Sequence, residues 1–133
     1  MAHVQLDRIS KRYANGIQAV QELSCEIEDG QLLVLFGPSG SGKSTTLRLV
    51  AGLESVDSGT LRFDGSQIDR LPPADRHVGM VFQRPVLYPH LSVEENLAFG
   101  VAIRKQTSAN TKQRIREAAE RLEIAELLDR RPH

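Results

Sequence analysis

The sequence is poor in cysteine, carries no excess of charge and contains no long hydrophobic run. Cys25 is its only cysteine, which excludes a disulfide within the chain and a zinc site built from several cysteines, as is usual in a reducing compartment. Seventeen Lys and Arg residues balance seventeen Asp and Glu residues, so no overall field attracts nucleic acid or an anionic membrane surface. We expect no nucleic-acid partner, a buried or spectator thiol at Cys25, and only local binding of phosphate groups.

Targeting and membrane-spanning segments are also missing. The first residues lead directly into alternating sequence, without the basic and apolar regions of a signal peptide. No apolar run approaches the roughly 20 residues that a membrane-spanning helix needs. We therefore expect a cytoplasmic protein, and work at a membrane would require another subunit to span it.

What the sequence does contain is typical of one soluble α/β domain. It has 133 residues, of which 40% are hydrophobic and 26% charged. Apolar and polar residues alternate over residues 4–9, with Ile9 out of register, and again over residues 20–27, which predicts two half-exposed strands. The continuous apolar run of residues 32–36 instead predicts a strand buried on both faces, as in a parallel sheet covered by helices.

Shorter signals extend this pattern along the chain. The apolar residues Leu47, Val50 and Ala51 recur at helical spacing, and Gly52 is placed to end that helix. Residues 60–63, followed by an Asp-Gly turn, predict a short strand. A further strand is expected over residues 78–82.

From Ser92 onward the pattern becomes helical. Ser92 and Glu95 match a capping box, in which each side chain bonds the other residue's backbone N–H, and this predicts a helix over residues 93–103. Residues 106–111 form a polar linker. A charged helix follows, with an apolar stripe made of Ile115, Ala118, Ala119 and Leu122.

One motif carries chemistry, the nine residues 37–45. The first eight match the pattern G-x-x-x-x-G-K-S/T, and Thr45 follows directly; the motif lies between a predicted strand and a predicted helix, which is the context that a P-loop requires. Glycines let such a loop wrap closely, so that backbone N–H groups and the helix N-terminus face the phosphates of a nucleoside triphosphate. The motif consists of Gly37, Pro38, Ser39, Gly40, Ser41, Gly42, Lys43, Ser44 and Thr45.

The last three residues of the motif have distinct predicted roles. Lys43 brings a mobile positive charge to the β- and γ-phosphates, and Ser44 offers a hydroxyl ligand to Mg²⁺. Thr45 can donate to the α-phosphate. The alternative is a glycine-serine turn that simply starts a helix, and the motif alone leaves kinases, GTPases, helicases and transport ATPases open.

The residues around the motif narrow this choice. Three segments closely resemble the nucleotide-binding subunits of ABC transporters: GPSGSGKSTTLRLVAGL at 37–53, SGTLRFDG at 58–65 and VGMVFQRPVLYPHLSVEENLAFG at 78–100. The resemblance covers essentially all 133 residues. The sequence of residues 87–93 looks most like that of the importer subunits that serve carbohydrates and related solutes.

The resemblance implies an α/β fold, with a P-loop NTPase core, an N-terminal antiparallel β region and the start of a helical subdomain. Residues 1–133 would be the N-terminal part of an ABC ATPase domain. Within it, residues 1–91 would hold the β-rich region and the core, and residues 92–133 the beginning of the helical subdomain.

Two further site residues are implied by the resemblance. Tyr13 stands where the family places an aromatic ring on adenine, although a tyrosine packed at a strand end would look the same in sequence. Gln83 matches the family's glutamine that reaches Mg²⁺ or the attacking water, although a Gln after a strand is more often a solvated loop residue. The implied catalytic residues are Lys43 and Gln83, the implied ligands of Mg²⁺ are Ser44 and Gln83, and the cofactors are ATP and Mg²⁺.

Protein partners are implied as well. Residues 84–91, from Arg84 to Leu91, would line the groove that receives a short helix of a membrane-spanning transporter subunit, unless this loop folds back on its own domain. A second copy of the ATPase subunit would close a dimer around ATP. Binding and hydrolysis of ATP would then drive solute import, with the subunit peripheral on the inner face of the cell membrane.

The last expectations concern the four histidines and the family motifs that these residues do not contain. His77 receives no role, and His3, His90 and His133 show no metal-ligand spacing, so we expect them to be solvated. The family's LSGGQ signature, Walker B aspartate, catalytic glutamate and switch histidine do not occur in these residues. We therefore expect the N-terminal part of a longer ATPase, exposing a central sheet edge and unable to hydrolyse ATP alone.

Two other functions stay open on the sequence. One is a soluble ABC-family ATPase that works without membrane subunits, and the other is a non-catalytic nucleotide-binding module. A GTPase is excluded because the Asn-Lys-x-Asp motif for base recognition is missing.

Overall fold

A computed structural model describes residues 2–103 and 110–133. The chain divides into two compact units, Met1–Met80 and Val81–His133. The first contains β1 (Val4–Arg12), β2 (Gln18–Ile27), α1 (Lys43–Ala51), β3 (Ser58–Phe63), β4 (Ser66–Gln67) and a 3₁₀ helix at Pro73–Asp75. The second contains α2 (Val93–Ile103), α3 (Thr111–Arg121) and a 3₁₀ helix at Ala125–Leu127. The functional boundary expected after residue 91 stays a prediction.

The first unit is built on a four-stranded antiparallel sheet in the order β2-β1-β3-β4. Leu6 of β1 pairs with Cys25 of β2 on one side and with Leu61 of β3 on the other. The ladder shifts register between Leu6 and Ile9, and this bulge lets both side chains enter one core although they are three residues apart. The strands expected over residues 4–9, 20–27 and 60–63 are confirmed, and the bulge explains why Ile9 breaks the alternation.

Helix α1 packs against this sheet and ends where predicted. Gly52 adopts the left-handed conformation, with φ of 77°, and its backbone N–H bonds the carbonyl oxygens of Arg48 and Leu49. The buried face of α1 differs from the predicted one, because Leu49 is buried and Leu47 is exposed. Helical spacing identifies an apolar face only to within one residue, so tertiary packing decided between the two leucines. The core consists of Leu6, Ile9, Val20, Leu49, Leu61 and Ile68.

A buried arginine holds the C-terminal end of α1. Arg76 is only 4% exposed, and its guanidinium donates to the carbonyl oxygens of Leu49 and Val50 at 2.7 and 3.2 Å. It also donates to the carbonyl oxygens of Asp69 and Leu71. Burial lowers the pKa of Arg76, and the nearby charge of Asp69 opposes this effect. The guanidinium thereby satisfies helix-end carbonyls and complements the negative end of the helix dipole.

Two predicted strands do not form. Residues 32–36 lie outside every strand, and Phe36 is 92% exposed, so the expected strand buried on both faces is wrong. Residues 78–82 also form no strand, and Val81 is 98% exposed. Among the described residues, the four strands pair only with one another, and these two runs have no ladder partner. An apolar run indicates burial, but a strand also needs a neighbour for its N–H and C=O groups.

The second unit is helical from Ser92 onward, as expected. The Ser92 N–H donates to Glu95 Oε2 at 2.7 Å and the Glu95 N–H donates to Ser92 Oγ at 3.2 Å, which confirms the capping box. Helix α2 then covers Val93–Ile103 as predicted. In α3, Ile115 and Ala119 are buried, whereas Leu122 lies past the helix end and is exposed. The predicted linker 106–111 falls, up to residue 109, outside the described residues.

No helix within residues 2–103 and 110–133 is long and apolar enough to cross a bilayer. Cys25 lies half-buried on β2, and burial raises the pKa of its thiol.

Candidate functional site

The P-loop motif lies between β2 and the start of α1. Gly40 and Gly42 both have positive φ, at 82° and 86°, which glycine adopts without a steric penalty. Gly42 is also pressed against β2, so that a Cβ at this position would collide with the carbonyl oxygen of Ala19. The loop is therefore held to the sheet at its last glycine, directly before Lys43 begins the helix.

Lys43 folds back over the loop that precedes it. Its ammonium donates to the carbonyl oxygens of Gly37 and Pro38 at 2.9 and 2.8 Å and to Ser41 Oγ at 3.2 Å. The first N–H groups of any α-helix have no partner within the helix, and within residues 2–103 and 110–133 no side chain caps α1 at Gly42. An ammonium group and unpaired amide donors thus share one end of α1, which favours an anion there.

Tyr13 faces the same loop from the connection between β1 and β2. Its hydroxyl lies 3.3 Å from Thr45 Oγ1, within hydrogen-bonding distance. The connection is a tight turn, because the Tyr13 N–H donates to the Ile17 carbonyl and the Gly16 N–H donates to the Tyr13 carbonyl, both at 2.9 Å. The Lys11 ammonium is 6.0 Å from the centre of the Tyr13 ring, at the outer limit of a cation–π contact.

These groups line one cavity of about 320 Å³. Its wall is made of Tyr13, Ile17, Ala19, Ser39, Gly40, Ser41, Gly42, Lys43, Ser44 and Thr45. Eight of the ten residues were predicted from the sequence as nucleotide contacts, although their individual roles stay predictions. Gly37 and Pro38, the other two residues predicted in the motif, contribute the carbonyl oxygens that hold Lys43.

The cavity fits the parts of a nucleoside triphosphate. Its lining includes an aromatic ring, which suits a base, and an ammonium group with a helix N-terminus, which suit a phosphate chain. The volume falls at the lower end of the range for small-molecule sites, about 300–1,000 Å³. The exposed Ser44 hydroxyl at the start of α1 could serve as a ligand to Mg²⁺.

A larger cavity of about 690 Å³ opens at the opposite end of α1, where residues 52–59 meet residues 67–72 and Arg76. Two arginines line it: Arg76, whose guanidinium bonds four backbone carbonyl oxygens, and the exposed Arg70. This cavity lies at the negative end of the α1 dipole, whereas the P-loop cavity lies at its positive end, so an anion is favoured at the P-loop.

Gln83 belongs to the second unit. It is exposed in the irregular segment that precedes α2, so its roles at Mg²⁺ and in catalysis stay predictions.

The segment predicted to meet a membrane subunit, residues 84–91, is held by Asn96 of α2. Asn96 Oδ1 accepts from the Tyr88 N–H at 2.8 Å, and Nδ2 donates to the carbonyl oxygens of Tyr88 and Leu91 at 3.1 and 3.2 Å. The Tyr88 ring packs on Phe99 with centroids 4.1 Å apart. Val86 and Leu87 are left exposed, so this part of the loop presents apolar side chains to solvent.

Comparison with protein families decides among the classes of nucleotide-binding protein that share a P-loop. The family described as ABC transporter matches residues 20–133, which is most of the chain. The chain belongs to the ABC transporter family. The resemblance seen in the sequence is thereby confirmed, together with the fold class that it implied.

Curated relatives are ATP-binding proteins of importers. The sn-glycerol-3-phosphate import ATP-binding protein UgpC of Psychromonas ingrahamii is 48% identical over 132 residues, covering 99% of this chain and 35% of that protein. The trehalose import ATP-binding protein SugC of Mycobacterium tuberculosis is 45% identical over 132 residues, with 99% and 34% covered. The chain thus spans about a third of the length of these relatives.

Solved ABC structures share the fold. The ATP-binding cassette MJ0796, in a dimeric post-hydrolysis state with ADP and Pi bound, superposes with a TM-score of 0.85 at 25% identity, covering 97% of this chain and 61% of that one. A nucleotide-free ATP-binding cassette from an ABC transporter gives a TM-score of 0.76 at 25% identity, with 98% and 58% covered.

Sequence reasoning on this ABC chain missed two residues that line the P-loop cavity, Ile17 and Ala19. A usable signal existed, since Asn15 and Gly16 are turn formers that reverse the chain directly after Tyr13. The reversal brings Ile17 to the same cavity as the ring, and Ala19 then meets Gly42.

Proposed function

We propose that this chain binds ATP in the P-loop cavity and forms the nucleotide-binding part of an ATPase subunit of an importer. The observation that carries the proposal is the single cavity shared by Tyr13 and the P-loop. A bare P-loop would serve many nucleotide-binding families, but an aromatic side chain joined to Thr45 adds a surface for a base.

Each group would then act on one part of the nucleotide. The Tyr13 ring would stack on adenine, and the N–H groups of residues 39–45 would bind the phosphate chain. The Lys43 ammonium would exchange its carbonyl partners, Gly37 and Pro38, for β- and γ-phosphate oxygens. Because those bonds hold the ammonium beside the loop beforehand, little ordering of the side chain should be needed on binding. Ser44 and Gln83 would hold Mg²⁺, which neutralises phosphate charge when it is bound.

The full-length protein would couple ATP hydrolysis to uptake of a carbohydrate-related solute. Relatives between 45% and 48% identical are importer ATP-binding proteins for sn-glycerol-3-phosphate and trehalose. The exposed side chains of Val86 and Leu87 support contact with a membrane-spanning subunit, which would place the protein on the cytoplasmic face of the membrane. The dimeric state of the related ATP-binding cassette supports pairing with a second ATPase subunit.

The test is binding of fluorescent ATP to the 133-residue chain, with and without Mg²⁺, together with phosphate release. We expect saturable binding that Lys43→Ala weakens at least tenfold, because the ammonium forms charge-assisted bonds to the phosphates. We expect no phosphate release above background. Lys112→Ala, which removes an exposed lysine from α3, is the matched control and should bind as the wild type does.

Equal binding by wild type and Lys43→Ala would contradict the proposal, because the P-loop would then play no part in nucleotide recognition. Phosphate release that Lys43→Ala abolishes would leave the proposal standing and would overturn only the expectation that these residues cannot hydrolyse ATP alone.

A further inference from the structure

A second cluster of chemistry-bearing side chains lies on the sheet of the first unit, among residues other than those that line the nucleotide cavity. It consists of His3, Glu26 and Glu28, whose ligand atoms all lie within 4.8 Å of one another. His3 Nε2 is 2.7 Å from Glu26 Oε1 and 4.0 Å from Glu28 Oε2. We propose that these three residues form a binding site for a divalent transition-metal ion, with Zn²⁺ as the ion that they suit best.

Strand register brings the three side chains together. Val4 of β1 pairs with Ile27 of β2, so His3 precedes one member of this pair and Glu28 follows the other. Facing residues of an antiparallel pair project to the same side of the sheet, as do residues two apart in one strand. His3, Glu26 and Glu28 therefore share one side, although 23 residues separate the histidine from the nearer glutamate. Spacing in the sequence gave no sign of this site.

The backbone at two of the ligands is fixed by bonds that do not involve the cluster. The His3 N–H donates to Asp64 Oδ1 at 2.8 Å, and the Asp64 N–H donates to the His3 carbonyl oxygen at 2.9 Å. The Glu28 N–H donates to Gln31 Oε1 at 2.9 Å, and the Gln31 N–H donates to the Glu28 carbonyl oxygen at 3.0 Å. The ends of β1 and β2 are thereby ordered before any ion arrives.

The third ligand has an orienting partner of its own. Gln5 Nε2 donates to Glu26 Oε1 at 2.9 Å, on the same side of the sheet. Hydrogen bonds of this kind to a ligating carboxylate orient it and are a regular part of metal sites.

The donor set selects a class of ion. One imidazole nitrogen and two carboxylate oxygens suit Zn²⁺, whereas Ca²⁺ and Mg²⁺ prefer oxygen ligands alone. At Zn²⁺ bond lengths near 2.0–2.1 Å, tetrahedral ligand atoms lie about 3.3 Å apart. The separations of 2.7 and 4.0 Å bracket this value, and exposed glutamates can adjust by that amount. Three protein ligands leave a fourth position for water or another ligand.

The test is calorimetric titration of ZnCl₂ into the tag-free 133-residue chain. We expect one Zn²⁺ per chain, and affinity at least tenfold lower in each of His3→Gln, Glu26→Gln and Glu28→Gln. These replacements keep similar size and polarity, and circular dichroism would verify that each variant folds. Glu22→Gln on β2 and His90→Gln in the second unit are matched controls that should bind as the wild type does. Lys43→Ala should also leave Zn²⁺ binding intact, which separates this site from the proposed nucleotide site.

A second readout is thermal stability, because an ion that binds only the folded chain raises the unfolding temperature. Zn²⁺ should raise the midpoint of the wild type and fail to do so for Glu28→Gln. Absence of saturable binding would overturn the proposal. It would also be overturned if Glu26→Gln and Glu28→Gln bound Zn²⁺ as tightly as the wild type, since His3 would then act without them.

Discussion

The P-loop and the apolar run before it are neighbours in sequence, yet they differ in how far the sequence determined their structure. Residues 37–45 adopt the predicted loop and helix start, with glycines at positive φ and Gly42 against β2. Residues 32–36 were predicted as a buried strand and instead lie exposed outside the sheet. The loop depends mainly on its own residues, whereas a strand depends on a partner elsewhere in the chain.

The sharpest test of the exposed run compares one of its apolar residues with a buried apolar residue of a strand that does form. Leu61 of β3 is fully buried at 0% exposure, whereas Phe36 is almost fully exposed. We expect Leu61→Ala to lower the free energy of unfolding by about 3 kcal/mol, through lost burial and a residual cavity. Phe36→Ala should change it by less than about 0.5 kcal/mol. Urea unfolding followed by circular dichroism would measure both.

The result for Phe36→Ala decides whether residues 32–36 are exposed. A loss of about 2 kcal/mol or more would mean that this run is packed in solution, and it would then no longer differ from the P-loop in having failed its prediction.

A smaller difference between two variants is expected within the P-loop, where two glycines share a backbone conformation but differ in surroundings. A Cβ at Gly40 meets no atom of the described residues within 4 Å, whereas a Cβ at Gly42 collides with the Ala19 carbonyl oxygen. Gly40→Ala should therefore show only the strain of positive φ, about 1–2 kcal/mol. Gly42→Ala should cost about 1–3 kcal/mol more, because loop and strand must separate. It should also weaken ATP binding beyond Gly40→Ala in the fluorescent titration; equal stability of the two variants would mean that the loop is not held to β2.

The distinction between features set by nearby residues and features that need a distant partner explains which predictions succeeded. The capping box at Ser92 and Glu95, the αL residue Gly52 at the end of α1 and the Asp-Gly turn after β3 all depend on residues within a few positions of each other. The sequence predicted each of these. Ile9 breaks the apolar alternation in the sequence, and the structure shows that a bulge between Leu6 and Ile9 is the reason.

Without the family resemblance, the P-loop cavity was predictable only where it is built from residues that are near each other in sequence. Local sequence predicted the P-loop, and family resemblance predicted Tyr13 near it, but neither indicated Ile17 and Ala19 as cavity residues. Arg76, which caps α1 from 25 residues beyond Ala51, and the cluster around His3 both arise from contacts distant in sequence. Composition and periodicity carry no information on such contacts.

The smallest effect concerns a polar contact between β1 and the segment after α1. Asp57 accepts from the Arg12 N–H at 2.6 Å and from the Lys11 ammonium at 3.2 Å. These two bonds, that of Arg12 foremost, lower the pKa of Asp57 in the folded chain below its ordinary value. The stability that the carboxylate contributes should be complete above the unfolded-state pKa of about 3.9 and lost as pH falls through the lower folded-state value.

Asp57→Asn tests this dependence because it keeps the shape and removes the charge. The urea midpoint of the wild type should exceed that of Asp57→Asn at pH 7 and pH 5, and the difference should shrink toward pH 3. Only the difference between the two proteins is informative, since other carboxylates also titrate in this range. A difference in urea midpoint that stays constant from pH 7 to pH 3 would mean that the charge of Asp57 contributes nothing to stability. The contact between Arg12 and Asp57 would then act as a neutral hydrogen bond.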